Sequence, residues 1–144
     1  MEALFGNDVL AACVIAWLVA QLSKPLIHYV HSRRINLRYF VTAGGMPSSH
    51  SAVVVALATR VGVDTGLSSI AFALAAVFAA VVMYDAAGVR RAVSLQARVL
   101  NRMLTEMIEV QHFNEQRLRE LIGHTPFEVA VGALLGALAA VSLR

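Results

Sequence analysis

The sequence predicts an all-α integral membrane protein, with about four short transmembrane helices and amphipathic helices on the cytoplasmic side. Three observations carry this. First, 58% of the 144 residues are hydrophobic and 15% charged, with a mean hydropathy of +0.68. That is more apolar surface than a soluble domain of this length buries. Second, residues 9–22, 51–59, 65–84 and 129–143 contain no Asp, Glu, Lys or Arg. Third, ten of the twelve Lys and Arg residues fall in two segments flanking the second and third tracts: Lys24 to Arg38, then Arg90 to Arg119. The pI near 9.6 therefore reflects positive-inside placement and attraction to anionic head groups, and points away from nucleic acid.

The elements follow in order, as one membrane domain over residues 1–144. The first span is expected at 9–27, entered through Glu2 and Asp8 with no cleavable signal pattern. Cys13 is the single cysteine, which excludes an internal disulfide and a thiolate metal site. A basic loop leads to residues 44–52, Gly-Gly-Met-Pro-Ser-Ser-His-Ser-Ala. Here Pro47 fits a first helical turn, and the second span is expected at 47–63. Residues 62–66 read as a tight outer link that makes spans two and three an antiparallel hairpin. The third span, 65–84, alone reaches the roughly 20 residues of a full crossing.

Residues 88–122 read as one or two cytoplasmic amphipathic helices covering the bundle. Leu100, Leu104, Met107 and Ile108 recur at helical spacing there. Gly123 ends this segment, and Pro126 opens the fourth span, 126–143. Short spans imply local bilayer thinning or partners. Ala12, Ala16 and Ala20 in the first span, and Gly132, Gly136 and Ala140 in the last, recur every four residues. This spacing suits close helix packing, within one chain or in a homo-oligomer. By the positive-inside rule both basic segments are cytoplasmic and both termini lie outside the plasma (inner) membrane, an arrangement that an even number of spans satisfies. Arg60 and Arg144 then sit at outer ends, where they snorkel.

The turn at residues 44–52 is the first candidate for chemistry. Gly45 permits close backbone approach to a ligand. Ser48, Ser49 and His50 set hydroxyls, an imidazole and backbone N–H groups at a helix start that suits an anion. The second candidate is Gly-His-Thr-Pro-Phe-Glu at 123–128. Glu128 stands four residues after His124, so one helical turn brings carboxylate to imidazole and fixes its tautomer. Arg90 and Arg91 fit planar phosphate recognition and fit a positive-inside anchor pair equally well, and Lys24 has the same two readings. Asp85, at the inner end of the third span, calls for a basic partner. His28, His31 and His112 read as interfacial side chains. By the expected topology all the candidates share the cytoplasmic side.

Pro47-Ser48-Ser49-His50 resembles the Pro-Ser-Gly-His motif of the type-2 phosphatidic acid phosphatase superfamily, which includes vanadium haloperoxidases. Residues 44–52, Tyr84-Asp85 with Gly88-Val89-Arg90-Arg91, and Gly123-His124-Thr125-Pro126 together resemble its divergent bacterial and plastid branch. The resemblance implies that Lys24 holds phosphate, that His50 is the general acid, and that Ser48 and backbone near Ser49 bind phosphate oxygens. It makes His124 the nucleophile, oriented by Glu128 in place of the usual Asp. The Arg-Pro that should follow the lysine is missing; Arg33, Arg34 and Arg38 are the basic residues that come after it. The arginine expected before His124 is replaced by Leu118, leaving Arg90, Arg91, Arg117 and Arg119 as candidates for that role.

Two functions follow as expectations. One is a membrane phosphatase that hydrolyses a phospholipid or polyprenyl phosphate or diphosphate at the cytoplasmic face, through a phosphohistidine and with no metal or cofactor. The other is a non-catalytic lipid-head-group-binding protein, or a small transport or scaffold bundle, that keeps the anion site.

Overall fold

The computed structural model describes residues 6–33, 44–108 and 124–143. They form five helices and, among the described residues, no strand. Helix α1 spans Asp8–Ser32, α2 Ser49–Thr65, α3 Ile70–Ala87, α4 Val89–Ile108 and α5 Pro126–Ser142.

Asn7 starts α1, its side-chain oxygen accepting from the Val9 and Leu10 amides at 3.0 and 3.1 Å. The helix runs through Pro25 to a left-handed cap at Arg33, so it exceeds the expected 9–27 span by more than a turn. Ser48 caps α2, which puts Pro47 before the helix rather than in its first turn. The turn between α2 and α3 also differs from expectation. Gly62 is helical, and the chain reverses at Gly66, whose φ of 85° needs glycine. A Cβ at Gly62 would press on the Phe72 ring at 2.9 Å. That glycine is therefore set by packing of α3 on α2, which moves the start of α3 to Ile70.

Helix α2 is the centre of the bundle and contacts α1, α3 and α5. Ala12, Ala16 and Ala20 of α1, Ala52 and Ala56 of α2, and Ala140 of α5 form one fully buried cluster. A Cβ on Gly132 would collide with the Ser48 carbonyl oxygen, and one on Gly136 with that of Ala52. Small residues at four-residue spacing thus let these backbones touch within one chain.

The far end of the bundle is tied by Arg60. Its guanidinium reaches Asp8, Asp64 and the Leu143 carbonyl, each at 3.0 Å. Arg60 is buried, so the expected snorkelling to the outer surface gives way to an ion-pair network. The same contacts fix direction: the start of α1 and the ends of α2 and α5 share one end of the bundle. Helix α4 touches only α3 among the described residues, so it does not cover the bundle as expected; residues 109–122 of that segment lie outside the described residues.

Among the described residues, two helices are long and apolar enough to cross a membrane: α1 over Asp8–Val30 and α3 over its whole length. Only 28% and 17% of these windows are buried. Large apolar side chains such as Trp17, Leu26, Leu74 and Phe78 face outward, as membrane-facing helices do. Helix α5 is apolar but has 17 residues, and α2, also of 17, carries Arg60 and Asp64 near its end. The expected four crossings are therefore two long apolar helices, one shorter one and a shielded central helix.

Candidate functional site

At the near end of the bundle, α1 meets the starts of α2 and α5. The approach to α2 is set by Gly45, with φ 88°, and by a cis Met46–Pro47 bond. Ser48 is completely buried. Its hydroxyl accepts from the Ser51 amide at 3.3 Å and from the Ser51 hydroxyl at 3.0 Å. Its amide donates to the Glu128 carbonyl at 3.1 Å. Ser48, expected to offer its hydroxyl to phosphate, also caps α2 and straps α2 to α5. Ser49 is buried beside it.

Lys24 reaches this point from α1 and is 1% exposed. Its ammonium donates to Gln21 Oε1 at 2.9 Å and to Ser49 Oγ at 3.3 Å, and it lies within electrostatic reach of Glu128. A buried ammonium requires such partners. Sequence reading missed Gln21. Its signal was a polar residue one turn before Lys24 on the same helix face, inside an otherwise apolar tract.

Thr125 and Glu128 form a reciprocal capping box that opens α5. The Thr125 amide donates to Glu128 Oε2 at 2.7 Å. The same oxygen lies 3.5 Å from Nδ1 of His124. One carboxylate oxygen therefore serves both the cap and the imidazole, so the helix start holds the acid in place for His124. His124 is 2% exposed. The His50 ring stands 6.1 Å from it, centroid to centroid, at an interplanar angle of 61°. The Nδ1 atoms of both rings are sealed from solvent.

The structure thus brings together Lys24, Ser48, Ser49, His50, His124 and Glu128, with Gly45 at the approach to α2. Arg90 and Arg91 lie in the first turn of α4, but their side chains are outside the described residues, as are Arg34, Arg38, Arg117 and Arg119. Asp85 is half-buried in the last turn of α3 and is not without a partner. Among the described residues no group of three or more His, Cys, Asp or Glu side chains could hold a metal ion.

The sequence profile of the Divergent PAP2 family matches residues 5–139, and the chain belongs to that family. It is 39% identical over 146 residues to an uncharacterised membrane protein of Bacillus subtilis, YuiD, with 94% of this chain and 92% of that one covered. No solved structure matches. With its outward apolar helices, the chain is a membrane protein.

Proposed function

We propose that this member of the Divergent PAP2 family is a membrane phosphatase that hydrolyses a lipid phosphate or diphosphate at the cytoplasmic face. The observation that carries the reading is the pairing of His50 and His124, 6.1 Å apart, beside the buried ammonium of Lys24. Two imidazoles at that separation can flank one phosphoryl group, and phosphoryl transfer needs chiefly positioning and charge stabilisation.

In this reading Glu128 at Nδ1 directs Nε2 of His124 toward phosphorus. Nε2 attacks in line, a P–N bond forms, and the P–O bond to the leaving group breaks. His50, protonated, gives its proton to the departing oxygen. Water then attacks the phosphohistidine and loses a proton to His50. The P–N bond breaks, inorganic phosphate leaves, and both histidines return to their starting states. Lys24 offsets the charge on the phosphoryl oxygens, with Ser49 holding the ammonium in place. Arg90 or Arg91 supplies the bidentate contact that Lys24 as a point charge does not. Lys24, Arg33 and the start of α4, from which the basic segments run on, lie toward this end, which supports a cytoplasmic site with both termini outside.

The test is phosphate release from phosphatidate, phosphatidylglycerol phosphate and polyprenyl diphosphate by the purified protein in detergent. Release from at least one, inhibited by vanadate as a mimic of five-coordinate phosphorus, and its loss in His124→Ala support the reading. No release from any of them, with vanadate bound no better than sulfate, leaves a head-group-binding bundle instead.

A further inference from the structure

We propose that an open furrow along α2, between α1 and α3, seats an alkyl chain of the lipid whose phosphate sits at the His50–His124 end. The proposal rests on the phosphatase reading for the head group. It adds the route by which the tail is held and the length of tail that is read.

Among the described residues, the contacts between helices leave one side of α2 uncovered. Helices α1 and α3 each pack on α2, and each touches α5, but among the described residues α1 and α3 do not touch each other. A helix turns about 100° per residue, so His50, Val53, Val54, Leu57 and Val61 fall on one stripe of α2. The stripe lies along the gap, with Leu57 and Val61 packed against the Val54, Ala58, Ala75 and Ala79 cluster on its α3 side. On one side Cys13 of α1 reaches the Val53 carbonyl, its Sγ at 3.8 Å. On the other, Val54 packs with Ala75 and Ala79 of α3. Val53, Leu57 and Val61 are half-buried, whereas Ala52 and Ala56, on the side of α2 toward α1 and α5, are completely buried.

The furrow has a polar head and a charged stop. It begins at His50, beside Lys24 and Ser49. It ends in the turn after Val61, where Arg60 and Asp64 join Asp8 of α1. An apolar chain gains nothing by entering that ion-pair network. Between His50 and Val61 the helix rises about 16 Å, the extended length of about thirteen carbons at ordinary bond lengths and angles. A lipid with its phosphate at the histidines would lay its tail along this line toward the bilayer interior. The occupant is therefore an acyl or prenyl chain of at least that length, entering sideways from the membrane.

Phosphatidate carrying a photoactivatable diazirine in mid-chain tests this directly on the wild-type protein in detergent, with adducts mapped by mass spectrometry. Adducts on Val53, Leu57, Val61 or Cys13, above those from the matching diacylglycerol without phosphate, are expected. Adducts concentrated on the outward Leu134 and Leu138 of α5, or no excess over the diacylglycerol, overturn the furrow. Crosslinking needs no turnover, so a failed phosphatase reading and a failed furrow are told apart. A second arm compares tetradecyl and butyl phosphate. Leu57→Trp should lower the ratio of their kcat/KM values about tenfold, the scale of overfilling a packed apolar site. An unchanged ratio counts against the furrow.

Discussion

The amide of Ser48 donates to the carbonyl oxygen of Glu128 at 3.1 Å, joining the start of α2 to the first turn of α5. His50 follows Ser48 by two residues and His124 precedes Glu128 by four. That single backbone bond therefore holds the two imidazole-bearing segments in register. Gly132 permits it, because any side chain there would meet the Ser48 carbonyl.

Gly132→Ala should separate these two segments. We expect a loss of about 1–3 kcal/mol in stability from overpacking, together with a larger loss of phosphate release. Thermal unfolding in detergent and the phosphate assay check both. The same change at Gly136, against Ala52, should cost similar stability with a smaller effect on activity, because it lies a turn further from the histidines.

Glu128→Gln separates the two duties of that carboxylate. Glutamine can still close a capping box, so the cap itself should lose less than about 1 kcal/mol, and any further loss reports the buried Lys24 ammonium deprived of the Glu128 charge. The amide no longer stabilises a charged imidazole, and phosphate release should fall by roughly two to four orders of magnitude, as when the acid behind a catalytic histidine is neutralised. Glu128→Ala should show the same fall plus about 1 kcal/mol lost with the cap.

Parts of this site were legible in the sequence for local reasons. His124, Thr125 and Glu128 lie within one turn, so their spacing already dictates the contact. Lys24 and His50 were legible through the family's motifs. Gln21 was not, because its role depends on Ser49, which reaches Lys24 from 25 residues away. The α2–α3 turn was misplaced because the chain offers two glycines four residues apart, and only the Phe72 ring packed on Gly62 decides between them. Arg60 looked like a surface anchor, since nothing local shows that Asp8, 52 residues earlier, reaches it. The helix ends moved for similar reasons: the caps at Ser48 and Ser69 are local, but which candidate cap is used is settled by packing.

Gln21→Leu should remove one neutral acceptor of the Lys24 ammonium, at 2.9 Å in the present structure. Gln21 acts through Lys24, so it is a positioning residue. We expect phosphate release to fall about tenfold, on the scale of one hydrogen bond to a charged group, and Gln21→Asn to restore part of it. A steady-state comparison of kcat and KM distinguishes this from simple unfolding, which lowers the active fraction and leaves KM unchanged.

At the opposite end, Arg60→Met should destabilise the fold by about 2–3 kcal/mol, because it takes the shared cation from Asp8, Asp64 and the Leu143 carbonyl. Asp8→Asn should cost less than about 1 kcal/mol, since the Asp8 side chain is 68% exposed and exposed pairs contribute little. Thermal unfolding in detergent ranks the two. Equal costs would contradict the buried-clamp description of Arg60.

The central claim is that His124 carries the phosphoryl group. Rapid acid-free quenching of the protein with a radiolabelled lipid phosphate, followed by peptide mapping, tests it most directly. The account predicts an alkali-stable, acid-labile phosphopeptide containing His124. It should be absent in His124→Ala and slower to form in His50→Ala. Phosphate release at the wild-type rate by His124→Ala, or label on any other residue, would contradict it.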